Sequence, residues 1–132
     1  MRDVLLHRDR TTEYSLSTWG QVHLEEWSNA TGHSWRKWVD IYPQWTGQYE
    51  WSWGVMPILN DASCFWDSTN FWSHRDWGLL EISNGEPMLE DSYSHLAFWA
   101  AIKSPLVIGT KLEGIKREIL EILMNRKLIT FN

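Results

Sequence analysis

The sequence predicts an α/β fold in which short strands alternate with helices. Segments of β-strand character are repeatedly followed by segments with apolar residues at helical spacing, and this alternation is typical of βα units around a parallel sheet. The run Leu106-Val107-Ile108 is apolar throughout, as expected for a strand that is buried on both faces. A length of 132 residues suits one domain.

The first third of the chain predicts two strands. Residues 1–8 resemble the tail of a helix, and residues 13–17 form the first expected strand. Residues 21–32 predict a loop with one helical turn. Residues 35–41 predict the second strand, because tryptophan, valine and isoleucine favour the pleated sheet.

Proline and the apolar spacing set the remaining elements. Pro57 must lie near the start of its helix, because proline is tolerated in the first turn of a helix but disrupts the interior. Ser104-Pro105 ends the next helix for the same reason. The expected elements are a helix over 51–65, a strand over 77–82, a turn over 84–87, a helix over 88–103, a strand over 106–109, a helix over 115–124 and an extended segment over 128–131.

Four strands, each followed by a helix, make half of an eight-stranded (β/α)8 TIM barrel. A half-barrel exposes two unpaired sheet edges, which are a liability in an isolated protein. We therefore expect residues 1–132 to form one partial barrel without a second domain. We also expect a fragment of a larger enzyme or the product of a truncated gene.

Charge and hydropathy argue against several classes of partner. The net charge is -5 and the sequence has no cluster of Lys and Arg, so nucleic acid is not an expected partner. No apolar run approaches the roughly 20 residues that span a membrane. The first ten residues lack the apolar core of a signal peptide. The single cysteine, Cys64, fits a reducing compartment, and equally a secreted chain whose partner cysteines lie elsewhere.

Eleven tryptophans are the outlier of the composition. Many must be structural, because tryptophan is a large hydrophobic residue that is mostly buried. An excess of this size also makes ligand-facing aromatic side chains plausible. By contrast, the histidines His33, His74 and His95 lack the i, i+4 spacing of helical zinc motifs, so neither a metal site nor a cofactor is expected.

The segment 34–41 (SWRKWVDI) combines residue types that suit sugar chemistry. A tryptophan offers a flat apolar face, and Arg36 offers a fork of donors for hydroxyl oxygens. Asp40 has a carboxyl group that can protonate a leaving glycosidic oxygen. The structural alternative is a half-buried strand whose last residue caps a turn. Arg36 and Asp40 would lie about 13 Å apart along a straight strand, so both can reach one sugar only if the strand end bends.

Five ordered blocks carry a resemblance to family 27 glycoside hydrolases, the α-galactosidases and α-N-acetylgalactosaminidases. Residues 14–20 (YSLSTWG) resemble S-L-C-x-W-G, residues 32–41 (GHSWRKWVDI) resemble G-N-S-W-R-x-x-x-D-I, residues 74–85 (HRDWGLLEISNG) resemble W-N-D-P-D-M-L-E-V-G-N-G, residues 93–109 (YSHLAFWAAIKSPLVIG) resemble E-Y-R-x-H-F-x-x-W-A-x-x-K-S-P-L-L-I-G, and residues 118–132 (EILEILMNRKLITFN) resemble A-L-E-I-L-x-N-x-E-V-I-A-x-N. Order and spacing agree across nearly the whole chain.

This resemblance implies a retaining glycosidase that acts on terminal α-linked galactose, and it places the chain at strands 5–8 of the parent barrel. It implies Asp40 as the general acid/base, Arg36 and Asp76 as sugar ligands and Trp19 as a wall of the pocket. For Arg36, a structural ion pair is the open alternative. It further implies a carbohydrate substrate and an extracellular, vacuolar or lysosomal location.

The chain departs from the family pattern at three places. The family's nucleophile is an Asp in a K-Y-D-N-C type motif, and no such motif occurs in the 132 residues. Ser17 stands where the family usually has Cys. Gly78 stands where the family has the second Asp of D-P-D-M, and Trp77 replaces the Pro. Trp77 could stack on a sugar, or it could be a core residue.

Two other hypotheses follow from these departures. One is a carbohydrate-binding pseudo-enzyme that binds sugar without turnover, and the other is an inactive truncated product that does not fold cooperatively. Each is distinguishable from a glycosidase fragment, by sugar binding and by thermal unfolding respectively.

Overall fold

The computed structural model describes residues 1–19, 21–70, 72–85 and 88–132, and it describes no side chains for residues 66–68. The α-helices are α1 (Arg2–Leu6), α2 (Leu24–Trp27), α3 (Val55–Ala62), α4 (Leu89–Ala101), α5 (Arg117–Leu123) and α6 (Arg126–Phe131). The strands are β1 (Ser15–Ser17), β2 (Ser34–Arg36), β3 (Asp40–Ile41), β4 (Ser52–Trp53) and β5 (His74–Asp76). Strands and helices are interspersed along the chain, which confirms the predicted α/β class.

A parallel sheet organises the fold. β1, β2 and β5 pair in that order, all parallel, and β3 pairs with β4 in a separate two-stranded parallel sheet. A single parallel bridge joins Leu80 to Ile108. The sequence 106–109 therefore lies beside the segment that follows β5, as a parallel neighbour should.

Buried side chains form two clusters, and the smaller one includes residues of this sheet. Leu16 of β1, Trp35 of β2 and Leu24 of α2 form the smaller cluster. The larger cluster joins helices α3, α4 and α5 to the segment after β5, and its buried members are Val55, Ile58, Ala62, Trp77, Leu80, Ile82, Leu96, Trp99, Ile119, Ile122 and Leu123. Because side chains alternate along a strand, the opposite face of β1, β2 and β5 is left for polar residues.

The second predicted strand was wrong as one continuous element. β2 ends at Arg36, and the chain leaves the first sheet before β3 begins at Asp40 in the second sheet. The change of sheet is the bend that the spacing of Arg36 and Asp40 required.

The third and fourth predicted strands were also placed incorrectly. The third strand is His74–Asp76, because Gly78 has φ +105° and interrupts the extended backbone, and within 77–82 only Leu80 forms a bridge. The run 106–109 forms only the bridge at Ile108, and Val107 and Ile108 are half exposed rather than buried on both faces.

The segment 128–131 is helical, contrary to the extended segment expected there. It belongs to α6, whose N-cap Asn125 accepts a hydrogen bond from the Leu128 N–H at 3.3 Å. A side-chain oxygen at this position satisfies a helical N–H that has no other partner, and so favours the helix. The helices predicted over 88–103 and 115–124 are confirmed with ends trimmed by a few residues. The helix predicted over 51–65 was wrong at its start, because residues 52–53 pair with β3 as strand β4 and α3 begins only at Val55. Pro57 lies in the first turn of α3. Of the predicted turn 84–87, residues 86 and 87 lie outside the described residues.

Candidate active site at the carboxyl ends of the strands

One row of residues occupies the carboxyl ends of three neighbouring parallel strands. Ser17, Arg36 and Asp76 are the last residues of β1, β2 and β5, and the strand register pairs Ser17 with Arg36 and Arg36 with Asp76. Because parallel strands end at the same edge of a sheet, their last side chains are brought together. In α/β sheets this edge is where ligands bind.

Arg36 connects two carboxylates at this edge. Its Nε lies 3.1 Å from Asp76 Oδ2, and its Nη1 lies 3.0 Å from Asp40 Oδ1. The Arg36 and Asp76 side chains are 18% and 20% exposed, whereas the Asp40 side chain is 66% exposed. One guanidinium therefore holds a shielded carboxylate on one side and a solvent-facing carboxylate on the other. This geometry brings together three of the four predicted site residues.

The orientation of Asp76 is fixed by a second contact. Its Oδ1 accepts a hydrogen bond from the Gly78 N–H at 2.8 Å, while Oδ2 accepts from Arg36. Both carboxylate oxygens are thus held by donors within the protein. Charge-assisted hydrogen bonds of this kind are stronger than neutral ones, so Asp76 can in turn hold Arg36 in place.

Asp40 is the most solvent-exposed member of the group. Its backbone N–H donates to the Trp51 carbonyl at 3.3 Å, which fixes its main chain, while most of its side chain faces solvent. A carboxyl group in this position is open to contact with a bound molecule.

Trp19 lies beside this edge, two residues beyond β1. Its backbone is in the left-handed region with φ +54°, its side chain is 48% exposed, and its ring meets that of Trp51 edge-on at 5.7 Å between centroids. A non-glycine residue held in this conformation is strained, and such strain clusters at binding sites. Sequence reasoning missed Trp51, although the excess of tryptophan pointed to aromatic residues of this kind.

The structure decides between the two interpretations of Trp77. Its side chain is 3% exposed and belongs to the larger core cluster, so it does not stack on a ligand. Gly78 next to it has a carbonyl that accepts from Trp99 Nε1 at 2.9 Å. A Cβ at Gly78 would lie 2.9 Å from Ile41 Cγ2, so the backbone of this segment is shaped for glycine.

Three other titratable residues are not part of the Arg36 group. His95 is buried against Trp99, with 4.2 Å between ring centroids, and desolvation by burial lowers its pKa to about 4. Cys64 is an exposed free thiol. Glu25 forms an ion pair with Lys37 at 3.2 Å, and hydrogen bonds from the backbone and from Lys37 lower its pKa.

The described part of the chain contains no group of three or more His, Cys, Asp or Glu side chains that could hold a metal ion. Across the same residues, no helix has the length and apolar character needed to cross a bilayer. A cleft of about 660 Å³ lies at the opposite edge of the sheet, where Tyr14, Gly32 and His33 precede the strands. The Arg36 group is not part of that cleft.

Comparison with known proteins places these observations in one family. The sequence family described as "Alpha galactosidase A" (Melibiase_2) matches residues 9–132. The Aspergillus clavatus protein named "Probable alpha-galactosidase B" is 45% identical over 132 residues, which are 100% of this chain and 28% of that protein. The chain therefore spans under a third of the length of the curated relatives it matches.

Solved structures agree in fold. An α-galactosidase from Saccharomyces cerevisiae, determined with raffinose, superimposes with a TM-score of 0.91 at 25% identity over 99% of this chain and 32% of that one. The α-galactosidase I of Mortierella vinacea superimposes with a TM-score of 0.86 at 27% identity over 92% of this chain and 34% of that one.

Proposed function

The chain belongs to the α-galactosidase family 27 of glycoside hydrolases, and from this premise we propose that it forms the acid/base side of a site that hydrolyses terminal α-linked galactose. The substrate is an oligosaccharide or glycoconjugate that ends in galactose or N-acetylgalactosamine. The observation that carries this proposal is the bridge from Asp40 through Arg36 to Asp76 at the carboxyl edge of the sheet.

The fold supports a place in the second half of a (β/α)8 barrel. Three parallel strands pair in sequence order, and the bridge between Leu80 and Ile108 continues the sheet in the same direction. Barrel enzymes carry their chemistry at the carboxyl ends of such strands. We infer one partial catalytic barrel over residues 1–132, with strands corresponding to 5–8 of the complete barrel.

In the proposed reaction Asp40 is the general acid and then the general base. Its carboxyl proton passes to the glycosidic oxygen as the bond from that oxygen to the anomeric carbon breaks, while a second carboxylate bonds to the anomeric carbon. Water then attacks the anomeric carbon and gives a proton to Asp40, while the bond from that carbon to the second carboxylate breaks and the sugar is released. The two carboxyl groups must lie about 5 Å apart for this double displacement.

The second carboxylate is assigned to a part of the protein other than these 132 residues, since they carry no K-Y-D-N-C type motif. Arg36 and Asp76 bind sugar hydroxyl groups and fix each other's orientation. Trp19 supplies an apolar wall beside them. The proposed location is extracellular, vacuolar or lysosomal.

Gly78 favours a second candidate function, sugar binding without hydrolysis. A second Asp at this position would add a charged hydrogen-bond acceptor for the substrate, each such bond being worth about 1.5–3 kcal/mol. Its replacement by glycine removes that contact. This candidate predicts that the chain binds galactose while the assembled protein does not cleave galactosides.

A chimera tests the proposed function. The 132 residues replace the matching segment of the Aspergillus clavatus relative, which supplies the rest of the protein. We expect hydrolysis of melibiose, with α-galactose as the first product seen by NMR. A chimera that unfolds cooperatively and binds galactose but leaves melibiose intact would overturn hydrolysis in favour of the second candidate.

A further inference from the structure

We propose that Trp51, with Trp19, forms the platform on which the leaving-group sugar of an α-galactoside stacks. This inference rests on the proposed function, because it takes Asp40 as the acid that protonates the leaving oxygen. It adds a residue that determines specificity for the second sugar ring, and it assigns a role to the loop between β3 and β4.

Trp51 is attached directly to the proposed acid. Its carbonyl accepts the Asp40 N–H at 3.3 Å, and the strand register places Asp40 opposite Ser52, the next residue. A general acid gives its proton to the leaving oxygen, so its carboxyl group lies at the boundary between the galactose and the leaving group. The backbone bond puts Trp51 beside that boundary.

The two indole rings leave apolar surface open to solvent. Trp51 and Trp19 are 60% and 48% exposed, and they meet edge-on at an interplanar angle of 65°. An edge-to-face contact holds the rings together without covering both faces of each ring. By contrast Trp53, two residues further on, packs against Trp38 at 5.4 Å and against the core. Trp51 is therefore not needed for the packing that Trp53 makes with Trp38 and the core.

The loop that carries Trp51 is held by its own hydrogen bonds. Tyr42 N–H donates to the Trp53 carbonyl at 2.7 Å, Tyr49 N–H to the Ser52 carbonyl at 2.9 Å, and Gly54 N–H to the Gly47 carbonyl at 2.9 Å. These bonds offset the entropic cost of ordering the loop within the fold, so ligand binding does not have to provide that free energy.

The chemistry of this surface selects a ring rather than a small alkyl group. The C–H face of a hexopyranose is flat and apolar, and its size matches the face of an indole ring. A methyl group covers only a small part of an indole face. We therefore expect the platform to favour galactosides whose leaving group is another hexose, as in melibiose.

Saturation-transfer NMR on the unaltered 132-residue chain is the direct test. With melibiose present, we expect saturation to be transferred from the protein to both sugar rings, the galactose and the glucose. In Trp51→Ala, transfer to the glucose ring is lost while transfer to the galactose ring remains. Trp72→Ala is the matched control, because Trp72 is 77% exposed and lines the cleft at the opposite edge of the sheet. This control is expected to leave both signals intact.

The chimera provides a second measurement. Trp51→Ala is expected to raise KM for melibiose by about three- to tenfold, the range for an aromatic contact, and to leave methyl α-galactoside hydrolysis within about twofold. An equal loss on both substrates, or no change on either, would overturn the platform while leaving hydrolysis standing. Absence of sugar binding and of hydrolysis before any substitution would instead overturn the proposed function, and the platform with it.

Discussion

Arg36 Nη1 lies 3.0 Å from Asp40 Oδ1 although the two residues belong to different sheets. Arg36 ends β2 in the three-stranded sheet, and Asp40 begins β3 in the two-stranded sheet. The turn between them folds a separation of about 13 Å along a straight strand into a direct ion pair. The same guanidinium contacts Asp76, so the bend adds Asp40 to a pair that the register of β2 and β5 already places together.

Replacing Arg36 tests the bridge as a structural unit. In Arg36→Lys a single ammonium group cannot reproduce the guanidinium fork, so we expect the free energy of unfolding to fall by about 1–2 kcal/mol. Most of this loss belongs to Asp76, because Asp40 is largely exposed and its pair is screened by solvent. Urea unfolding followed by circular dichroism measures the change.

Arg117→Lys is the matched control for this substitution. Arg117 pairs with Glu121 at 2.9 Å on the exposed face of α5, with side chains 90% and 65% exposed. An exposed helical pair contributes about 0.3–0.5 kcal/mol. Equal effects of the two substitutions would show that the Arg36 bridge adds no stability beyond a surface pair.

His95 predicts a specific pH dependence of stability. Burial lowers its pKa to about 4, from 6.5 for an exposed histidine. Between these values the unfolded chain binds a proton that the folded chain does not, so stability is lost as the pH falls from about 6.5 to about 4. The loss is about 3 kcal/mol. His95→Gln removes this contribution, and thermal unfolding across that pH range should show a flatter profile than the unaltered chain.

His7→Gln serves as the control for His95, because His7 is exposed in the turn after α1. It should reproduce the profile of the unaltered chain. If the stability of His95→Gln depended on pH in the same way as that of the unaltered chain, the proton uptake on unfolding would belong to groups other than His95.

Restoring the family's second Asp at Gly78 is expected to destabilise the fold. Gly78 has φ +105°, and an added Cβ would lie 2.9 Å from Ile41 Cγ2 and 3.1 Å from Ile41 Cβ. Backbone strain and overpacking together predict a loss of about 2–4 kcal/mol for Gly78→Asp, measured by chemical unfolding.

Gly114→Asp separates the two causes. Gly114 also has positive φ, +72°, but an added Cβ would meet nothing within 4 Å. We expect a loss of about 1 kcal/mol from strain alone. The double substitution Gly78→Asp with Ile41→Ala should lose less than the sum of its parts. Strict additivity would rule out the contact with Ile41 as a cause.

Hydrophobic periodicity and the order of the motifs predicted much of this fold, and particular residues show where the prediction was wrong. The helical spacing from Leu89 to Ala101 predicted α4 because one face of that helix is buried, and burial leaves a pattern in the sequence. The segment 77–82 was predicted as a strand, but only Leu80 forms a bridge there, because Gly78 interrupts the extended backbone and burial of Trp77 does not require it.

The sequence predicts which residues belong to the candidate site, but it does not predict how they are arranged. Arg36, Asp40 and Asp76 were identified as site residues, yet no local pattern encodes the change of sheet between Arg36 and Asp40. That change depends on the loop after β3, where Tyr42 and Asp40 bond to residues more than ten positions away. Trp51 was missed for the same reason, because its link to Asp40 is a contact between strands.

The leaving-group dependence of Asp40→Asn in the chimera tests the central claim most directly. Proton donation by a general acid contributes about 10²–10⁴-fold, so kcat/KM for melibiose should fall by about that factor. For 2,4-dinitrophenyl α-galactoside, whose leaving group departs without a proton, kcat/KM should change by less than about tenfold. An equal fall for both substrates, or full activity on melibiose, would contradict the assignment of Asp40 as the acid.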